Sequence, residues 1–211
     1  MKKLIALALS VVLALGAFAG CGGKEATTAK VIEIDLTSEE YAFGVDKTQP
    51  ELLASVNAFI AEIKENGKFD EICNNYFGDG TPNAVTSAAF DESKDQLVVA
   101  TNAAFAPFEY KDGDKFAGID MELEKLIADE LGMELVIMDM EFDAVVTSVG
   151  KNGIDIAMAG LTVNETRKQS VNFTDSYYNA AQMLIVPANE TAFDNCKTDA
   201  DVLAALAEAL K

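Results

Sequence analysis

The sequence predicts an α/β fold: a single lobe with a mostly parallel sheet flanked by helices. Three observations predict it. Over residues 97–186, apolar runs alternate with amphipathic stretches as strand, aromatic turn, helix, strand, helix, strand, polar turn, strand. The helical stretches carry apolar residues at three- and four-residue spacing and stop at Gly or Asn-Gly. Half of the 211 residues are hydrophobic, enough for a core in a chain of this length.

Residues 31–36, VIEIDL, alternate like a short strand, and residues 41–45, YAFGV, read as another. Thr48-Gln49-Pro50-Glu51 has the form of a capping box with Pro in the first turn, so a helix starts there. Its apolar face is Leu52, Leu53, Val56, Phe59, Ile60 and Ile63, and Asn66-Gly67 stops it. A second helix runs over 68–77 and stops at Gly78. It carries Cys73 beside Phe69, Ile72 and Tyr76, as a small buried hydrophobe. Residues 79–95, DGTPNAVTSAAFDESKD, read as a linker with little periodicity. Asp112-Gly113-Asp114 is too short for a calcium loop and marks a hairpin turn. Thr162 and Glu165 form a second T-x-x-E box, so a short helix begins at about Val163. Thr198-Asp199-Ala200-Asp201 followed by VLAALAEAL is a capped amphipathic helix.

Charge and composition exclude several functions. The net charge is -19, which argues against nucleic acid, because phosphate binding needs clustered Lys and Arg. The chain has no His, which removes Ser-His-Asp and Cys-His catalysis and His-ligated metals. Neither a metal nor a cofactor is implied, and no buried carboxylate pair suggests an enzyme.

Lys2 and Lys3 precede an apolar run over 4–19, shorter than the ~20 residues of a spanning helix. Phe18-Ala19-Gly20-Cys21 resembles a bacterial lipoprotein box, in which Cys21 becomes the lipidated first residue. Residues 1–20 then form a signal peptide and 21–30 a lipid-anchored tether. An ordinary secretory signal with a chance cysteine is the alternative. Outside the cytoplasm a Cys73–Cys196 disulfide is open, since sequence cannot place the two Cα atoms.

The motifs LVVATNAAFAPFEY, GIDMELEKLIADELG, IDIAMAGLTVNETR and NFTDSYYNAAQMLIV stand in this order. They closely resemble lobe 1 of the extracellular amino-acid-binding proteins that feed ABC importers, the polar amino acid family, also called solute-binding family 3. The resemblance implies one lobe of a type II periplasmic-binding-protein fold. In that family a SEEYAF-like strand, a helix and a FDEIxxxYFG-like helix form the C-terminal end. Here they come first, over 31–78. The family's N-terminal part follows over 96–187, joined by the linker 79–95. Lobe 1 is therefore expected over 31–187 in circularly permuted form, which surface termini allow. Most of lobe 2 is expected to be absent, with 188–211 as its truncated start.

The nonapeptide AGLTVNETR gathers groups suited to an anion. Arg167 offers a planar fork that fits a carboxylate. Thr162 supplies a hydroxyl, the helix start supplies amides, and Ala159-Gly160 lets the backbone approach closely. A surface Arg167 paired with Glu165 is the plainer alternative on these residues alone. The resemblance makes this loop the holder of a ligand α-carboxylate. It makes Phe105 the aromatic platform for the ligand side chain, with core packing as its alternative. It makes Phe142 the opposing wall, with a helix-entry staple as the alternative. Phe108 and Tyr110 read as core or wall. Asn102 matches a position often held by Asp in relatives that bind cationic or amide side chains, and with no carboxylate there a cationic ligand is not expected.

The resemblance thus implies an extracytoplasmic, lipid-anchored solute-binding protein that passes an amino acid to an ABC permease. A remnant lobe with little or no binding, and a dehydratase-like enzyme on the same scaffold, are the alternatives.

Overall fold

The computed structural model describes residues 28–210. The signal peptide expected over 1–20, Cys21 and the first part of the tether lie outside the described residues. In chain order the elements are β1 (Ala29–Ile32), β2 (Glu39–Tyr41), β3 (Gly44–Val45), α1 (Pro50–Glu65), α2 (Lys68–Phe77), β4 (Gln96–Thr101), β5 (Ala104–Phe105), β6 (Glu109–Asp112), β7 (Lys115–Ala117), α3 (Ile119–Glu130), β8 (Glu134–Asp139), α4 (Phe142–Ser148), β9 (Ile156–Ala157), β10 (Asn172–Phe173), β11 (Tyr178–Ala180), β12 (Leu184–Pro187) and α5 (Asp199–Ala209).

The chain divides into two compact units. The larger runs from Glu40 to Tyr178. The smaller joins the described residues up to Glu39 with those from Asn179 onward. The larger unit is therefore narrower than the lobe expected over 31–187, because β1 and β12 pair with each other in the smaller unit.

The larger unit is built on a five-stranded sheet in the order β10-β3-β9-β4-β8. The α/β class holds, with helices on a central sheet. The sheet is mixed rather than mostly parallel: β4 runs parallel to β8 and β9, while β3 is antiparallel to β9 and β10. The parallel strands are joined through α3 and α4, as parallel neighbours must be. The antiparallel β3 enters from a separate stretch of chain with no such crossover.

Leu97, Val98, Val99, Ala100 and Thr101 of β4 are all buried, the signature of a strand covered on both faces. Val98, Ala100, Val136 and Ala157 pack with Val145, Val146 and Val149 of the α4 region. The 41–45 strand expected from the sequence is split into β2 and β3. Between them the Ala42 amide donates to the Leu161 carbonyl and the Phe43 amide to Thr174 Oγ1. The first strand is displaced too. It spans Ala29–Ile32 rather than 31–36, because the Ile34 amide turns back to the Ile32 carbonyl.

Helices α1 and α2 lie where the sequence places them. Val56, Phe59, Ile60 and Ile63 of α1 are buried, as are Phe69, Ile72 and Cys73 of α2. The capping box at Thr48 does not form. Its amide is taken by Asp46 Oδ1, Gln49 is the N-cap residue, and Pro50 at the first position has no N–H to satisfy. Cys73 and Cys196 are both free thiols, so the open disulfide is not made.

Residues 79–95 are not a loose linker. Val85 exchanges both backbone hydrogen bonds with Phe116, at 2.7 and 2.9 Å. Ala88 N–H donates to Leu135 O of β8, and Ser87 Oγ accepts from the Ile137 amide. The buried carboxylate of Glu122 on α3 accepts from Tyr76 OH of α2 and from the Asn83 amide and Nδ2. Beyond it, β5, β6 and β7 form an antiparallel meander, with the turn at Gly113-Asp114 as expected.

In the smaller unit β1 and β12 pair antiparallel, and Ile32 and Val186 pack with Phe193 and Val202 of α5. The capping box of α5 is complete: Asp201 N–H donates to Thr198 Oγ1, and Asp201 Oδ2 accepts from Thr198 N–H.

Glu122→Ala leaves a tyrosine hydroxyl and two Asn83 donors without their acceptor. It is expected to lower stability by about 2–4 kcal/mol in urea denaturation. A loss under ~0.5 kcal/mol would show that Glu122 does not hold 79–95 against α3.

Candidate functional site

The three parallel strands of the larger unit end on the same side of the sheet. In open α/β sheets, ligands bind off these carboxyl ends. The end of β4 delivers Asn102, the end of β8 leads through Met140 to Phe142 at the start of α4, and β9 runs into Ala159-Gly160-Leu161-Thr162. All seven residues expected at the site belong to these ends or to the turn that follows.

Asn102 Nδ2 donates to Met140 O at 2.7 Å, which brackets β4 to β8. Beside it Asp139 accepts from the Ala103 amide and pairs with Lys111 Nζ at 2.7 Å. These bonds offset the desolvation of the Asp139 carboxyl and hold its pKa below the usual range.

Gly160 has φ +50°, a left-handed conformation that glycine adopts without strain. A Cβ there would stand 3.0 Å from Phe105 Cε1. The ring of Phe105 therefore lies against the glycine, stacked at 5.6 Å on Phe108 and 44% exposed. The ring is exposed and is not part of the core. Phe108, by contrast, is core. Ala159 turns its methyl into the sheet core, so it offers the site only backbone.

Arg167 is the single arginine of the chain. Its Nη1 donates to Thr162 O at 2.8 Å, and its guanidinium lies 5.2 Å over the Phe142 ring. Phe142 is 41% exposed, and one face of its ring meets the guanidinium. The pair borders a hollow of ≈ 170 Å³ that also includes Val146, Thr147, Thr166 and Ser170. A larger hollow of ≈ 320 Å³ lies at the amino end of β4, by Thr48, Leu52 and Met133. The first carries the guanidinium. The second has none, so size does not select the site.

The T-x-x-E box at Thr162 is not formed, and no α-helix begins at Val163. Thr162 bridges to Tyr41, the Val163 amide donates to Glu40 O, and the Arg167 amide donates to Asn164 Oδ1. A single 3₁₀ turn over Arg167–Gln169 follows. This turn therefore lacks the free amides of an α-helix start, and its charged donor is the Arg167 side chain. Glu165 pairs with Lys168 and not with Arg167.

Behind the loop lies a buried acidic group that the sequence reading did not identify. Asp120 and Glu124 are fully buried on α3, and Glu109 of β6 is nearly so. Asp120 Oδ2 accepts from the Gly160 amide at 2.8 Å, and Oδ1 accepts from Tyr177 OH at 2.6 Å. Neither oxygen of Glu109 or of Glu124 has a hydrogen-bond partner among the described residues. Burial raises both their pKa values, with the neighbouring Asp120 charge adding to it, Glu109 to about 11 and Glu124 well above the usual carboxylate range, which favours the neutral acid at both. The signal was the spacing: Asp120 and Glu124 are four apart, in line with Ala128 on an inward-facing stripe.

A family model described as bacterial extracellular solute-binding proteins, family 3, matches residues 97–211. The arginine-binding extracellular protein ArtP of Bacillus subtilis is 35% identical over 100 residues, 47% of this chain and 39% of that protein. The histidine-binding periplasmic protein of Salmonella typhimurium is 30% identical over 104 residues, 49% of this chain and 40% of that protein. The holo arginine-binding protein of T. maritima is 42% identical over 43% of this chain and 41% of its own, with a TM-score of 0.39. The chain spans about two fifths of the length of the curated relatives it matches.

Two predictions arise from this geometry. Gly160→Ala is strained by its positive φ and by Phe105, and is expected to cost about 1–3 kcal/mol, read by thermal unfolding. Glu109 and Glu124 have folded-state pKa values above their unfolded ones. Their contribution is complete below about pH 4, the unfolded range, and is lost as pH rises through neutrality. Glu109→Gln and Glu124→Gln should therefore flatten the fall in stability between pH 5 and pH 8 relative to the unaltered chain. Equal slopes in all three proteins would show that these carboxyls are not held neutral.

Proposed function

The chain belongs to the bacterial extracellular solute-binding proteins of family 3, and we propose that it holds the α-carboxylate of a free amino acid at Arg167. The single observation that carries this reading is the placement of the chain's one guanidinium. It sits half-buried where three parallel strands end, held by Thr162 O over Phe142, in the loop where Gly160 meets Phe105. A planar fork so held suits a carboxylate. Thr162 adds a hydroxyl, and Phe105 and Phe142 offer exposed ring faces to the rest of the ligand.

A neutral side chain is proposed for that ligand. Asn102 brings no charge to balance a cation, and its amide donates to Met140 O. The arginine- and histidine-binding names belong to the relatives, and a titration with both kinds of ligand decides for this chain. The proposal extends to delivery of the amino acid to an ABC permease, with attachment outside the cytoplasm through lipidated Cys21. Among the described residues no helix is long and apolar enough to cross a membrane. A binding role is preferred to catalysis, since the relatives named above are binding proteins. We also take the larger unit as a circularly permuted lobe. Supporting this, β3 from the first segment lies between β9 and β10 from the second.

With the carboxylate held from one side, the ligand's ammonium stays in water. Forgoing the charge pair that would meet this ammonium in a closed site costs ~2–5 kcal/mol of affinity, which takes a micromolar site at about −8 kcal/mol to roughly millimolar. The 211-residue chain is therefore expected to bind L-glutamine in that range by NMR titration, more tightly than L-arginine, with Arg167→Ala weakening it at least ~10-fold. Binding that survives Arg167→Ala unchanged would overturn the assignment. For the anchor, mass spectrometry of the mature N-terminus should show a diacylated or triacylated Cys21, and an unmodified Cys21 sinks that part.

A further inference from the structure

Three carboxyl groups lie buried behind the ligand loop, and only one of them is hydrogen-bonded. Asp120 is fully buried and bridges two donors from different parts of the chain: the Gly160 amide to Oδ2 and Tyr177 OH to Oδ1. We propose that Asp120 is a positioning residue for ligand binding. Its ionised carboxylate fixes the Gly160 peptide and, through it, the loop that places Phe105 and Thr162 around the ligand. This rests on the function proposed above, but its central claim, that Asp120 holds the loop, can be read without any ligand.

The geometry makes the arrangement specific. Gly160 is left-handed and lies under the Phe105 ring, so the direction of its peptide sets where that ring rests. The amide has one acceptor, Asp120, supplied from α3, forty residues away in sequence. Tyr177 is itself fixed, stacked on Phe43 at 4.4 Å with its amide on Tyr41 O. A carboxylate has two oxygens and so serves both donors at once. The neutral acid does not: its proton must face one of them. Facing Gly160 it sets donor against donor. Facing Tyr177 it makes the hydroxyl turn and accept.

The groups facing Asp120 explain why the charge resides there. Glu109 comes from β6, Glu124 from its own helix, Cys73 from α2, and Tyr177 from the segment before β11. Burial, with the Asp70 and Asp120 charges adding to it, pushes the Cys73 thiol up to about 12, so it stays neutral. Glu109 and Glu124 are held neutral in the same way. No cation faces Asp120 in this set. Burial alone would push its carboxyl high, but the two donors pull back and leave it at about 6. The charge is thus retained only through the bonds that hold the loop, and it titrates close to neutrality.

The test uses the ¹⁵N-labelled full chain and follows the Gly160 amide in NMR spectra over pH 4.5–8. The amide resonance of the unaltered chain is expected to move downfield as pH rises, with a midpoint near 6. In Asp120→Asn, which keeps the shape but not the charge, that step should vanish, and the affinity for L-glutamine should fall about tenfold. Tyr177→Phe keeps the ring stack and removes one donor to the ionised form, so the Gly160 midpoint should move to higher pH, which a merely structural role would not produce. A Gly160 amide that does not titrate, or titrates equally in Asp120→Asn, overturns the proposal. So does an affinity unchanged or improved in Asp120→Asn. If the amide titrates as expected but the unaltered chain binds neither L-glutamine nor L-arginine, Asp120 still positions the loop, and it is the amino-acid reading that fails.

Discussion

The 2.8 Å hydrogen bond from the Gly160 amide to Asp120 joins the loop at the end of β9 to the helix beneath it. Much of the larger unit is arranged so that this bond can form. Helix α3 must start hard against the meander, and Gly118 permits it: its φ is +137°, and a side chain there would collide with Phe108 O. Pro107 O and Phe108 O accept the Ile119 and Asp120 amides, which set the first turn of α3. The same turn carries Asp120 inward to the loop. Tyr76 OH meets it from α2, accepting from the Gly118 amide and donating to Glu122. A shift of α3 by one residue would separate Asp120 from both its donors and place a neighbour under the loop instead.

Charge explains what the site can accept. The chain carries a net -19, so its surface repels a free anion on average. Arg167, the one arginine of the chain, stands against that average in the turn that follows β9. Burial also limits the opposing field, since two of the three acids behind the loop are neutral and just one negative charge remains there. That charge is met by two donors, the Gly160 amide and Tyr177 OH. A second arginine or a buried lysine near Asp120 would pair with it and weaken its hold on the Gly160 amide.

Periodic parts of the fold were legible in the sequence, and single hydrogen bonds were not. Helices α1 and α2 follow from their apolar stripes and glycine stops, since burial along a face leaves a repeated mark. The turn at Gly113 and the cap of α5 follow from local chemistry in the same way. The boxes at Thr48 and Thr162 failed because a capping pattern states a capacity, and distant partners took the groups first: Asp46, Glu40 and Asn164. The division of 41–45 into two strands came from Thr174 and Leu161, more than a hundred residues away. At the candidate site, the expectation at 105, 142, 160 and 167 rested on residue type and on resemblance. Asp120 could not be read, because a carboxylate in a helix reads as surface unless its i,i+4 partner is also seen to face inward.

The segment 79–95 shows how a stretch without periodicity can still be structural. Strand β8 lies at one end of the five-stranded sheet, so one edge of it faces away from β4. Open edges invite pairing with other chains. The Leu135 carbonyl and the Ile137 amide of β8 are satisfied by Ala88 and Ser87. The connection therefore closes an edge while it carries the chain from α2 to β4. Its alternation is weak because it bonds partly through a side chain and for only a few residues, and this made it read as a linker. The stretch does more than span a distance: it replaces water on an edge strand with protein, and it fixes α2 and α3 through Glu122 on the way.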